Sequence, residues 1–317
     1  MQQIKRYRSA NDYYREAFGE KLYKLALDGG FTCPNRDGTL GTRGCIFCAG
    51  GSGDFAVPVI APDRESVFDA IETAKSVVSG KGGQRYIAYF QSYTGTYAPV
   101  PYLRSLFFSA AAHPDIAAIS IGTRPDCLGE DVLALLSELN GIKPVFVELG
   151  LQTIHPETAA YIRRGYELSV FDDAVRRLKA AGINVVVHMI IGLPGETVEM
   201  AVRTAEYIGK SGADGIKLQL LHVLKGTDLA EDFTKGAFEA LSLEEYIHTL
   251  EECIEHIPLE MVVHRLTGDG AKRDLIAPLW SGDKKRVLNA VNRAFERDNI
   301  VQGKYFVRSS PAVKIVS

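Results

Sequence analysis

Val170–Leu221 reads VFDDAVRRLKAAGINVVVHMIIGLPGETVEMAVRTAEYIGKSGADGIKLQLL. Two nearly continuous apolar runs, Asn184–Ile191 and Asp214–Leu221, alternate in it with two amphipathic stretches, Val170–Ala181 and Glu196–Ser211. Short unbroken apolar runs are the mark of strands buried on both faces, and apolar residues three and four apart mark helices packed on them. The pattern continues upstream. Strands are predicted at Lys21–Asp28, Arg85–Gln91, Ile116–Ile121 and Pro144–Gly150, with helices at Arg64–Ser79, Tyr102–Ala112 and Leu128–Asn140. Six βα units in a row imply an α/β fold with a parallel sheet and right-handed crossovers. A partial or complete barrel and an open doubly wound sheet both satisfy the periodicity, because closure leaves no trace in it.

The chain has 317 residues, 36 Lys+Arg against 39 Asp+Glu for a net charge of −3, and 46% hydrophobic residues. This excludes a disordered chain, a collagen-like repeat and a histone-like basic protein. The longest apolar run, Ile183–Pro194, is broken by Asn184 and His188 and falls short of the roughly 20 residues a bilayer requires. The charged N-terminus has no apolar segment of the secretory kind, so a cytoplasmic location without a membrane span is expected. Residues 1–20 read as an N-terminal extension, 21–227 as the core and 228–317 as a C-terminal extension, acidic and helical at first and basic at its end.

Five cysteines are an odd number for a disulfide framework, and a reducing compartment favours thiols. Cys33, Cys45 and Cys48 lie in FTCPNRDGTLGTRGCIFC, a C-x11-C-x2-C loop directly after the first predicted strand. Gly, Pro, Asn and Asp between them allow three sulfurs to bend toward one point, and thiolates at that density suit zinc or an iron–sulfur cluster. Structural zinc needs a fourth ligand, and the loop holds no His or fourth Cys. A cubane held by three thiolates leaves one iron open to a chelating small molecule. Cys127 and Cys253 read as ordinary buried thiols.

These residues resemble the radical S-adenosylmethionine (radical SAM) superfamily, whose cluster loop follows the first strand of a partial (βα)6 TIM-type barrel. The resemblance runs from about Leu22 to Thr227. The long first gap departs from the superfamily's commonest C-x3-C-x2-C and is similar to the branch of the Elongator catalytic subunit; the loop together with YFQSYTGTYAP (Tyr89–Pro99) resembles the bacterial YtqA/YhcC-type radical SAM proteins. It implies that Cys33, Cys45 and Cys48 hold a 4Fe-4S cluster, that S-adenosylmethionine chelates its open iron, and that Phe47 lies near the adenine.

Ligands of a parallel α/β sheet bind beyond the carboxyl ends of its strands. The second strand is followed by Thr94, Gly95 and Thr96 where the family has a Gly-Gly-Glu-like segment; carbonyls and a hydroxyl could hold the methionine amine, or the segment is a plain turn. TRPD at Thr123–Asp126 matches the Elongator-like branch, with Arg124 suited to a carboxylate ligand. Glu148 is a carboxylate inside an apolar strand, costly unless paired. The resemblance assigns Gln152 and Arg164 to the ribose or carboxylate of the cosubstrate, His188 to the ribose, and the turn Gly192-Leu193-Pro194 to the adenine, with capping and core packing as the alternatives. Lys217 and Gln219 share one face of the sixth strand and could meet substrate or pair structurally.

The resemblance implies reductive cleavage of S-adenosylmethionine, a reducing donor such as flavodoxin or ferredoxin, and a tRNA substrate, the C5 side chain of wobble uridine being converted from carboxymethylaminomethyl toward aminomethyl. The alternatives are radical oxidation or decarboxylation of a small molecule, and a non-catalytic RNA-binding protein with a structural metal. Basic residues Lys284, Lys285, Arg286, Arg293, Arg297, Lys304 and Arg308, interleaved with Trp280, Phe295, Tyr305 and Phe306, could neutralise phosphates and stack bases, as could Lys5, Arg6, Arg8 and Arg15 among Tyr7, Tyr13 and Tyr14. Such runs are also the ordinary composition of a solvated face.

Overall fold

The computed structural model describes residues 5–51, 56–78, 80, 83–268 and 272–307. Its main sheet is parallel throughout and contains β1 (Tyr23–Asp28), β2 (Val57–Pro58), β3 (Tyr86–Phe90), β4 (Ile116–Thr123), β5 (Val145–Gln152), β6 (Asn184–Ile191), β7 (Gly215–Leu220) and, past a small antiparallel pair of β8 (Val223–Leu224) with β10 (Leu275–Ala277), β9 (Val262–Arg265). The spatial order is β2-β1-β3-β4-β5-β6-β7-β9. Six strands are those of the expected βα units, and β2 and β9 lengthen the sheet at its two edges.

Successive residues along each strand point alternately inward and outward, so every second residue shares a face. Outward residues such as Leu25, Phe90, Ile119, Val147 and Leu218 pack against the crossover helices α2 (Arg64–Val78), α3 (Val100–Ala112), α4 (Glu130–Asn140), α6 (Leu168–Ala180) and α7 (Val198–Lys210), with α5 (Pro156–Tyr161) a short turn between β5 and α6. Inward residues form layers. At the amino ends Leu22, Ile87, Ala118, Phe146 and Val186 make an apolar floor, closed from below by Tyr14 of α1 (Ala10–Phe18). The next layer is polar: Lys24, Tyr89, Ser120, Glu148, His188 and Lys217, one from each of six strands, meet around the Glu148 carboxylate. β1 and β5 are three hydrogen-bonded steps apart and β5 and β7 two. In a flat sheet these steps of about 4.8 Å would hold the strands about 14 and 10 Å apart, too far for both lysines to reach one carboxylate. The sheet is therefore curled into a partial barrel, with its seam between β9 and the other edge, where the short β2 covers only the carboxyl end of β1.

The termini brace this base. After α8 (Asp228–Thr234) and α9 (Leu243–Glu255), α10 (Lys284–Arg297) leads to Gln302, whose side-chain amide donates to the carbonyls of Pro258 at 2.7 Å and Met261 at 2.8 Å and whose Oε1 accepts from the backbone N–H of Arg8 at 2.7 Å. The aromatic residues expected to stack are divided here: Phe295 is buried with Tyr7 edge-on against it, Tyr14 is buried and Trp280 donates its indole N–H to Leu241, whereas Tyr305 is exposed with Lys304 over its ring. Of the expected basic residues, Arg308 lies outside the described residues.

Gln302→Ala removes a clasp, taking the side-chain donor from Met261 O and the acceptor from the Arg8 N–H, while Pro258 O keeps the Met261 N–H. At roughly 1–3 kcal/mol per orphaned group, and with partial relaxation, it is expected to cost about 2–4 kcal/mol, read as a lower urea midpoint with an unchanged denaturant slope.

Candidate metal and cosubstrate site

A cavity of about 200 Å³ opens at the carboxyl ends of the strands. The loop after β1 forms one wall. Its first turn is closed by the N–H groups of Arg36 and Asp37 donating to the Cys33 carbonyl, at 2.8 and 3.1 Å, and a second turn by Cys48 N–H to the Cys45 carbonyl at 3.0 Å. Backbone bonds pin it on either side: Ile46 donates to Ile162 O, Leu229 to Ile46 O, and Thr94 to Thr32 O. Gly44, at φ +75°, lies where a Cβ would come within 2.7 Å of the Arg36 guanidinium, so this turn requires glycine.

The three thiols are free and all face this cavity. Asn35 donates its side-chain amide to Cys45 Sγ at 3.4 Å and to Arg163 O at 2.7 Å, fixing the second cysteine. Burial pushes the Cys45 thiol up, with the Asn35 bond opposing it. Arg36, whose side chain donates to Cys48 O, and Arg124 place positive charge near the sulfurs. The sulfurs are not all gathered within 4.8 Å of one another; among the described residues the group that is, Glu72, His113 and Asp115, already has the Lys75 ammonium on both its carboxylates, at 2.8 and 2.6 Å. A single zinc at about 2.3 Å from each sulfur would draw them to about 3.8 Å apart. A donor set of three thiols from one loop fits an iron–sulfur cluster.

Besides the cysteines, the candidate residues Phe47, Thr94, Arg124, Glu148, Gln152, Arg164 and His188 all line the cavity. The other expected positions do not contribute to its wall. The Thr96 hydroxyl is turned to Thr123 Oγ1 and Cys127 O, both at 2.6 Å. Gly95 lets two strand ends approach, since a Cβ there would meet Gly122 O at 2.8 Å. Gly192 lies against Leu241, Leu193 is buried in an apolar cluster with Ile46 and Ile162, and Pro194 borders a separate cavity with His155 and Met200.

Within the wall, Arg124 forms a two-pronged pair with Asp126, at 2.9 and 2.7 Å, and donates to Arg164 O. Arg164 donates to Thr153 O at 2.7 Å and stacks over Tyr166. Both guanidiniums are thus oriented by the protein. Tyr93 and Gln152 hold left-handed backbone, at φ +53° and +64°, a strain that concentrates at functional sites. Arg36, Gln91, Tyr93, Thr123 and Tyr166 also line the cavity without having been expected there. The loop position of Asn35 and Arg36, between the cysteines, is the signal that could have drawn attention to them.

At the cavity floor Glu148 is almost wholly buried. Its Oε1 accepts from Lys24 and from Ser120 at 2.6 Å, and its Oε2 from Lys217, from Tyr89 at 3.0 Å and from His188 Nε2 at 2.7 Å. Burial alone would raise this carboxyl, but Lys217 and Lys24 hold it well below the usual range. Burial and the Lys217 ammonium push His188 down to about 4. The imidazole is therefore neutral near pH 7, donates from Nε2 to Glu148, and keeps Nδ1 as an acceptor.

The sequence profile of the radical SAM superfamily matches residues 38–208, and that of a radical SAM C-terminal domain matches residues 213–297. The chain is 45% identical over 306 residues to the protein YtqA of Bacillus subtilis (strain 168), covering 96% of this chain and 94% of that protein. It is 29% identical over 155 residues, 48% of this chain and 28% of the relative, to a tRNA uridine(34) acetyltransferase of Methanocaldococcus jannaschii. Among solved structures, the archaeal Methanocaldococcus infernus Elp3 lacking its N-terminus aligns with a TM-score of 0.66 at 19% identity, over 89% of this chain and 64% of that one, a likeness of fold. The free cysteine trio above a curled parallel sheet and the extent of these matches lead to one conclusion: the chain belongs to the radical SAM superfamily, whose members use a 4Fe-4S cluster and S-adenosylmethionine.

Proposed function

We propose that this radical SAM enzyme acts on tRNA, at the C5 side chain of the wobble uridine, converting a carboxymethylaminomethyl group toward aminomethyl. The observation that carries the chemistry is the convergence of the three free cysteines Cys33, Cys45 and Cys48, all from one loop, on one cavity. The substrate rests on the partial similarity to a tRNA uridine(34) acetyltransferase. In this reading the three cysteines are the cluster ligands, and Phe47, Thr94, Arg124, Gln152, Arg164 and His188 surround S-adenosylmethionine. When bound, the cluster supplies one electron, received from a flavodoxin- or ferredoxin-type donor, that cleaves the sulfonium and yields the carbon radical abstracting hydrogen from substrate.

The chain's own contributions are positional. Asn35 orients Cys45, and Arg36 and Arg124 offset the negative charge of the thiolates. His188 presents Nδ1 to a ribose hydroxyl, its ring held by Glu148. Tyr166, whose hydroxyl donates to Gly150 O, keeps Arg164 against the wall and excludes water.

Cys45→Ala is expected to lose most bound iron and sulfide after anaerobic reconstitution and to release no 5′-deoxyadenosine; wild-type iron content in the variant would refute the ligand assignment. For the substrate, nucleosides of bulk tRNA from cells with and without the protein should differ at the wobble uridine, with the carboxymethylaminomethyl form accumulating in its absence. An unchanged profile eliminates the tRNA reading and leaves radical chemistry intact.

His188 also makes stability depend on pH. Its folded value of about 4 lies below the roughly 6.5 of an unfolded histidine. The unfolded chain thus takes up a proton that the fold refuses, and stability falls as pH drops from about 6.5 to about 4, with no contribution above that window. His188→Gln should flatten the decline of the urea midpoint between pH 7 and pH 5; equal slopes would contradict a buried neutral imidazole.

A further inference from the structure

On the other side of Glu148 from the cysteines lies a second cavity, of about 340 Å³, at the barrel seam. It is bounded by α1, by Lys24 of β1, by Lys217 of β7, by β9 with the residues that follow it, and by the start of α10. Two observations point to what it holds. First, three buried polar atoms on its wall, Tyr14 OH, His264 Nδ1 and Thr267 Oγ1, have no hydrogen-bond partner among the described residues. Tyr14 is 4% and Thr267 5% exposed, so neither hydroxyl is compensated by bulk water. A buried hydroxyl without a partner costs roughly 1–3 kcal/mol, and the Tyr14 and Thr267 hydroxyls can each donate to a ligand that fills the space. Second, Lys24 and Lys217 both reach Glu148, and burial pushes Lys217 well below the usual lysine value, because one shared carboxylate does not offset the loss of water around it. Arg265 and Lys284 add to the cationic wall, and no described residue lining the cavity is acidic.

We propose that the seam cavity is a binding site for a small multivalent oxyanion, a phosphate- or carboxylate-bearing metabolite, whose oxygens accept from Tyr14 and Thr267 and complete the charge balance of Lys24 and Lys217. The cavity's size lies within the usual range for a small ligand. Its hydroxyls sit behind the surface, which suits a compact anion that can enter between β1 and β9 better than a phosphate fixed in an RNA backbone. The site is separate from the cosubstrate cavity and does not depend on the tRNA reading.

Tyr14→Phe and Thr267→Val test the site in the reconstituted full-length protein, since each deletes a hydroxyl that the protein itself leaves unpaired. Without ligand, both variants should melt at or above the wild-type temperature. Inorganic pyrophosphate and succinate serve as the phosphate and carboxylate probes in anaerobic calorimetry, with a short single-stranded RNA as a competitor. The expected result is saturable binding of at least one probe to the wild type, weakened at least about tenfold in each variant; the tighter probe tells which headgroup the site takes. Equal affinities in wild type and variants, no binding of either probe at about 10 mM, or binding of the RNA alone would overturn the proposal.

Discussion

One buried carboxylate organises this molecule. Glu148 accepts from donors on five other strands, and removing so many polar groups from water is tolerable only because each finds its partner there. The cost of leaving any of them unmatched forces β1 and β7 to bend toward β5, so electrostatics and curvature are one constraint. The same node sets the protonation of His188 and forms the floor of the cysteine cavity, which ties the shape of the barrel to the chemistry above it.

The cavity itself is built from strand ends and a loop held by backbone hydrogen bonds. Ile46 is bonded both to Ile162 and to Leu229, so the cysteine loop is stitched to the segment after β5 and to the start of α8. Arg163 and Arg43 converge on Asp228 at that junction. The loop is therefore placed by neighbours on both sides before any cluster is considered, and the sulfurs are presented by a preorganised scaffold.

Much of this was legible in the sequence, for identifiable reasons. Strands buried on both faces announce themselves as apolar runs, and Asn184–Ile191 is matched to the residue. Three thiols in a Gly- and Pro-rich loop are chemically conspicuous, and Glu148 was conspicuous as a charge in an apolar strand. What stayed hidden depends on contacts distant along the chain. Nothing near Lys24 or Tyr89 announces that they meet a residue more than fifty positions away. β9 is four residues long and lies beyond the point where the βα period stops, so its place in the sheet comes from tertiary pairing with β7. The aromatic residues of the termini were ambiguous for a related reason: Phe295 and Tyr14 have the composition of a stacking surface and the positions of a core, and burial favours the core.

The Gln302 clasp has a consequence for the order in which the molecule can be completed. Its partners, Arg8, Pro258 and Met261, stand at opposite ends of the polypeptide, and the helix carrying Tyr14 lies between the first of them and the barrel. During synthesis the six βα units can emerge and associate in turn, while the stopper beneath them has no latch until residue 302 leaves the ribosome. Until then the nascent chain has an unlocked base, and the segment around Gln302 secures one made 294 residues earlier.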